Sequence, residues 1–147
     1  MKDNIFLDTN ILVYLFDKSE VQKHAASRKL FRNLSTNSRK CISTQVVNEF
    51  IVIATKKIQN PISFDKMKRY IEFFSRTMSV FNLELATSFK AVALKSEYHF
   101  SYWDSLIIAS ALENDCTILY SEDMQHGQLI ENRLKIINPF ETEENAD

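Results

Sequence analysis

The 147 residues are 45% hydrophobic and 25% charged, the size and composition of one globular domain with an ordinary core. No apolar run approaches the roughly 20 residues of a membrane span, and a single glycine with two prolines argues against a turn-rich all-β sandwich and favours helices. The net charge of −1 excludes a strongly basic chain. Its distribution is less neutral, because Glu141, Glu143, Glu144 and Asp147 sit in the last seven residues without a base. The rest of the chain then carries 18 basic against 15 acidic side chains, a balance of +3. If several of those acids share one metal-neutralised cluster, the remaining surface is basic, which permits nucleic-acid binding without demanding it. The N-terminus enters an apolar strand with no signal-peptide layout, which places the protein in the cytoplasm. Cys41 and Cys116 lie in short apolar runs, as reduced core thiols do, and neither has a CxxC or Cys/His neighbour for zinc.

In chain order, Asn4–Leu7 reads as a buried strand that delivers Asp8 to its C-terminal end. Thr9 or Asn10 then caps a helix over Ile11–Phe16. Ser19 is the expected cap for a helix over Glu20–Leu34, with Val21, Ala25, Phe31 and Leu34 on its buried side. After a polar loop at Ser35–Arg39, Lys40–Ser43 is a short strand. Ser43 or Thr44 caps a helix over Gln45–Ile58 that turns Val46, Val47, Phe50, Ile51 and Ala54 inward and ends at Asn60-Pro61. Ser63 opens a helix over Phe64–Arg76, striped by Phe64, Met67, Tyr70, Ile71 and Phe74.

Ser79–Phe81 is the next short strand. Asn82 caps a helix reaching Ser96, with Leu85, Ala86, Phe89, Val92 and Ala93 expected inside. Trp103–Asn114 is apolar nearly all round and should be the most enclosed helix. Thr117–Tyr120 and Leu134–Ile137 are the last strands. Strands alternating with helical patterns imply an α/β fold with a mostly parallel sheet and helices on both faces.

The acids fall at telling places on this map. Asp8 ends the first strand, Glu49 lies one turn into the helix after the second, Asp104 starts the enclosed helix, and Glu122-Asp123 follow the fourth strand. Crossover helices run antiparallel to the strands, so all these positions project to the same rim, the ligand-binding edge of an open α/β sheet. With neighbouring strands ~4.8 Å apart, the carboxylates are expected close together. Like charges at short range raise each other's pKa, and a hard divalent cation with oxygen ligands relieves that repulsion.

Acids without a Ser, Cys or His partner suit phosphodiester hydrolysis by a metal-activated water. Each acid also has a structural reading: Asp8 as a helix cap, Glu49 as an ordinary helix residue, Asp104 within a Ser101-x-x-Asp104 capping box, and Glu122-Asp123 as a turn. Thr9, Asn10 and Ser121 are supporting candidates that orient carboxylates or waters. His24, His99 and His126 have no partner spacing. Tyr102-Trp103 fits base stacking, although core anchoring is the commoner role. Arg28/Lys29/Arg32, Lys56/Lys57 and Lys66/Lys68/Arg69 read mainly as solvated faces.

Phe6-Leu7-Asp8-Thr9-Asn10, Asn48-Glu49-Phe50, Trp103-Asp104-Ser105-Leu106-Ile107-Ile108-Ala109-Ser110-Ala111 and Leu119-Tyr120-Ser121-Glu122-Asp123-Met124 resemble the PIN domain, and in particular its VapC-type toxin ribonucleases. The resemblance runs to about Phe140, which gives one domain over 1–140 and an acidic tail over 141–147. It implies a three-layer α/β/α fold and a Mg²⁺- or Mn²⁺-dependent endoribonuclease with acids at Asp8, Glu49, Asp104 and Asp123. Asp8 and Asp104 would be direct ligands. Glu49 and Asp123 would complete the site, and Glu122 competes with Asp123 for the fourth place. It also implies tRNA or ribosomal RNA as substrate, a homodimer, and a cognate antitoxin protein; apolar and aromatic residues near Phe64–Phe74 are candidates for the antitoxin's docking groove.

Three alternatives stand beside this reading. A haloacid-dehalogenase-type phosphatase would need a second Asp where Asn10 stands. A phosphoacceptor receiver module would show paired acids and a Lys after the last strand, whereas Lys135 precedes its apolar run. The third is a catalytically silent PIN-like binding protein.

Overall fold

The computed structural model describes residues 3–34, 37–56 and 59–141. Among these residues six strands form one sheet, flanked by six helices; the strands are β1 (Asp3–Leu7), β2 (Ser38–Ser43), β3 (Ser79–Phe81), β4 (Ile118–Tyr120), β5 (Leu129–Ile130) and β6 (Leu134–Ile137). The helices are α1 (Thr9–Phe16), α2 (Val21–Asn33), α3 (Thr44–Lys56), α4 (Phe64–Thr77), α5 (Leu85–Tyr98) and α6 (Tyr102–Glu113). The strand order is β3-β2-β1-β4-β6-β5, with every pair parallel except β5 against β6. This is the three-layer α/β/α arrangement expected from the alternating pattern.

The chain moves outward from β1 through β2 to β3, then returns across the sheet to β4 on the other side of β1. Right-handed crossovers place connections that run in opposite directions on opposite faces. The α1–α4 connections therefore cover one face and α5–α6 the other. Reversal between β1 and β4 makes their C-terminal ends a topological switch point, where a crevice opens.

The central strand is buried on both faces, which its unbroken Ile5-Phe6-Leu7 run requires. Ser105–Leu112 of α6 are buried without interruption, so the enclosed-helix expectation holds. Cys41 and Cys116 are buried free thiols, and no helix among the described residues is long and apolar enough to cross a membrane.

Several expectations are corrected. Asp8 itself caps α1, its side chain accepting the Thr9 N–H, so neither Thr9 nor Asn10 is the cap. Ser19 does not cap α2, whose N-cap is Glu20 without a side-chain bond; its hydroxyl turns back to Asp17 instead. Val21 and Ala25 lie on the solvent side of α2. Ser38 and Arg39 belong to β2, whose pairing with β1 begins at Asp3↔Ser38. Phe64 projects into solvent at the first turn of α4.

The largest error concerns α5. Leu85, Phe89 and Val92 are 75, 72 and 60% exposed, and Ala86 and Ala93 are exposed with them. Thr87, Ala91 and Leu94 face inward instead. The two-residue β5 was not expected at all. Lys57, Ile58 and most of the acidic tail lie outside the described residues.

Candidate active site

The switch point is built around Asp8. Its backbone N–H continues the β1–β4 ladder by donating to the Tyr120 carbonyl at 3.0 Å, which fixes the carboxyl at the crevice floor. One carboxyl oxygen accepts the Thr9 N–H at 2.7 Å and the other accepts the Ser121 hydroxyl at 2.8 Å. The residue is 5% exposed. Burial pushes its pKa up to about 7; the Ser121 and Thr9 hydrogen bonds oppose the rise, and the charges of Asp104 and Asp123 add to it.

The other acids are held from neighbouring elements. The Thr9 hydroxyl donates to one oxygen of Glu49 at 2.7 Å, and the Gln45 amide donates to the other at 2.9 Å. The same Gln45 amide donates to the Trp103 carbonyl at 3.1 Å, tying α3 to the start of α6. Asp104 sits in the first turn of α6, where its N–H donates to the capping Ser101 hydroxyl. Its pKa is raised by burial, against the Ser101 hydrogen bond, with Asp123 and Glu49 adding to the rise.

Asp123 accepts the Asn10 amide at 2.7 Å, and its own N–H donates to Ser121 Oγ at 3.2 Å. Its pKa is raised by burial and by Glu122, while Lys23 and Asn10 lower it. Ser121 therefore links two of the acids through one hydroxyl. Thr9, Asn10 and Ser121 each hydrogen-bond a carboxylate.

Glu122 points elsewhere. One of its oxygens accepts the Tyr14 hydroxyl at 2.5 Å and the other pairs with Lys23 at 2.8 Å. The Lys23 ammonium lies over the rings of Tyr14 and Phe140. Burial and the Glu122 carboxylate push Tyr14 up to about 12, and Glu122 raises Lys23. Glu122 is thus bound into an ion pair on the α1–α2 side, which leaves Asp123 as the acid bonded to Asn10.

Tyr14, Lys23 and Gln45 carry no sequence motif. Only the i+4 spacing of Gln45 and Glu49 hinted at one of their contacts. The histidines stay outside the site; His24 bonds the Tyr14 carbonyl and His126 accepts the Asn138 N–H.

Asp8, Asp104 and Asp123 therefore lie within electrostatic range of one another, with Glu49 acting on Asp104. Among the described residues, no three or more His, Cys, Asp or Glu side chains are gathered into a group that could hold an ion by themselves. The donor chemistry nonetheless fits Mg²⁺ or Mn²⁺. Every candidate ligand is a carboxylate oxygen, the charges repel, and Mg²⁺ keeps several waters beside one or two carboxylates.

A family model described as the PIN domain matches residues 5–130. No curated protein matches the sequence. Among solved structures, a toxin–antitoxin complex from Klebsiella pneumoniae is 22% identical with a TM-score of 0.70, covering 94% of this chain and 99% of that one. VapBC2 from Rickettsia felis, bound to a DNA fragment from its promoter, is 18% identical with a TM-score of 0.65, covering 92% of this chain and 99% of that one. VapC20 of Mycobacterium tuberculosis, described as a toxin that cleaves the sarcin–ricin loop, is 13% identical with a TM-score of 0.64, covering 80% of this chain and 88% of that one.

Proposed function

The chain belongs to the PIN-domain family, and from that premise we propose that it is a divalent-metal-dependent endoribonuclease, the toxin of a toxin–antitoxin pair. The observation that carries the reading is Asp8: a carboxyl buried at the switch point, gripped by Thr9 and Ser121, and raised to about 7 with Asp104 and Asp123 contributing. A group kept that close to neutral by burial and like charge is primed to exchange its proton for a cation. The neighbour described as cleaving the sarcin–ricin loop supports RNA as substrate.

In this reading Asp8 and Asp104 hold Mg²⁺ or Mn²⁺, and Glu49 and Asp123 complete the site. When bound, the cation offsets phosphate charge and makes a water nucleophilic at neutral pH. The protein's own groups set the geometry. Ser121 and the Thr9 N–H fix both oxygens of Asp8, Thr9 Oγ1 and Gln45 fix both oxygens of Glu49, and Asn10 fixes Asp123. Asp8 surrenders its proton as the cation enters, so cation affinity rises with pH up to about 7.

The complexes among the structural neighbours support an antitoxin partner, and a homodimer belongs to the same reading. A groove of about 380 Å³ between α1, α2 and α4, with Phe16, Phe31, Tyr70 and Phe73 in its wall and Lys18 and Arg28 at its edge, suits an acidic amphipathic antitoxin segment.

The test is purified protein, freed of any co-purifying partner, against total cellular RNA in Mg²⁺, Mn²⁺ or EDTA, with Asp8→Asn in parallel. The expected result is cleavage at a few sites, leaving 5′-phosphate and 3′-hydroxyl ends and absent in EDTA and in the variant. Intact RNA with folded, cation-bound protein transfers the assignment to the silent binding protein. Products ending in 2′,3′-cyclic phosphate overturn the water-nucleophile chemistry.

A further inference from the structure

Trp103 departs from every other large apolar side chain of α6. It is 63% exposed at the head of a helix whose next buried stretch, Ser105–Leu112, is unbroken. It is also the chain's single tryptophan and directly precedes Asp104. Its backbone is pinned, because the Trp103 carbonyl accepts the Gln45 amide at 3.1 Å. Its ring is braced edge-on by Tyr102, with centroids 5.5 Å apart and planes at 74°. An indole held this way offers a preformed flat face at low entropic cost.

That face borders a cleft of about 440 Å³ whose other walls are Leu83 and the Thr44, Gln45, Asn48 and Glu49 side of α3. The volume lies in the range of small-molecule sites, and Glu49 belongs both to the cleft and to the acid site. One polar atom here is unsatisfied. Gln45 spends its Nε2 on Glu49 and Trp103, while its buried Oε1 has no hydrogen-bond partner. Exchanging the amide's O and N would set the oxygen against two acceptors, so the network fixes this orientation. The Gln45 amide is thereby locked and lends the cleft a rigid wall.

We propose that this cleft is a nucleobase subsite: a base flanking the cleaved phosphodiester stacks on the Trp103 indole with its polar edge toward the exposed Asn48. Stacking supplies affinity for any base. The subsite rests on the nuclease reading for its place beside the cut, but its occupancy has a signal of its own, because all tryptophan emission comes from Trp103.

The experiment titrates Asp8→Asn protein in Mg²⁺ with RNA hexamers of adenylate, of purine riboside (adenine without its amino group), and of abasic ribose phosphate. Saturable quenching by the adenylate and purine riboside hexamers alike is expected, with none by the abasic one. In wild-type background, Trp103→Ala should raise KM for RNA by roughly 5- to 150-fold, with kcat little changed. Trp103→Phe should restore part of the affinity.

Equal quenching by the abasic hexamer overturns the subsite, as does cleavage with unaltered KM in Trp103→Ala. Emission that changes with protein concentration in the absence of RNA assigns the indole to a protein interface and also overturns it. Quenching by base-bearing hexamers in a protein that cuts no RNA upholds the subsite and rejects the nuclease.

Discussion

At the scale of single residues, Asp8 sets the conflict between stability and chemistry. Its folded pKa of about 7 exceeds the ordinary carboxyl value of 3.8. The folded state therefore binds the extra proton between those pH values, and Asp8's contribution to stability is complete below about pH 4 and is lost as pH rises to about 7. The loss is on the order of 4 kcal/mol for a shift of this size. Asp8→Asn keeps an acceptor for the Thr9 N–H and offers Ser121 a donor, so without added cation it should melt several degrees above wild type at pH 8 and lack the wild-type decline between pH 4 and 7. Calorimetry of both proteins across that range decides the matter. A variant that melts below wild type at pH 8 contradicts the buried-charge account.

Glu122 and Asp123 make the complementary pair. Asp123→Asn should abolish most cleavage while leaving the melting temperature nearly unchanged. Glu122→Gln should cost about 1 kcal/mol through the Tyr14 and partly solvated Lys23 contacts and leave substantial activity. Parallel assays of cleavage and denaturation separate the two, and the opposite pattern would make Glu122 the fourth acid. Sequence narrowed the choice to these neighbours. It could not separate them, because the decision rests on Tyr14 and Lys23, contacts 108 and 99 residues away.

At the scale of elements, the best-read helices were those whose burial is absolute. A helix apolar on all sides, such as α6, has one solution, and the Ser63 cap fixes where α4 starts. The reading of α5 failed because Leu85, Phe89 and Val92 form a coherent helical stripe that a single chain does not cover, while the true inner face is the smaller Thr87, Ala91 and Leu94. Periodicity reports that a stripe exists and not which protein surface it meets. Leu85→Ser and Phe89→Ser should therefore shift the monomer's unfolding free energy by less than about 0.5 kcal/mol, against about 2–5 kcal/mol for Leu94→Ala. Urea denaturation at low protein concentration measures this. A large loss on Phe89→Ser would return that residue to the core.

For the molecule as a whole, the shared rim was legible because strand-end acids follow from chain direction alone. Their fine placement was not, since it depends on Ser121, Thr9, Asn10 and Gln45 reaching across the crevice. The cation proposed above would meet Asp8, Asp104 and Asp123 together only in the folded chain. Mg²⁺ or Mn²⁺ should thus raise the melting temperature by mass action, more at pH 8 than at pH 5.5, with EDTA reversing the gain. A cation effect equal at both pH values would detach binding from Asp8.

The sheet order has a consequence in time. Asp8 meets its hydroxyl partner Ser121 across 113 residues, because the strand that flanks β1 on that side is the fourth one made. At translation rates of about 5–20 residues per second, that interval is roughly 6–23 s. Throughout it, the emerging polypeptide carries Asp8 and then Glu49 without the strand that closes the crevice. For the activity proposed above, the ribosome and its message are thereby spared during synthesis, since no nascent segment short of Asp123 contains all four acids.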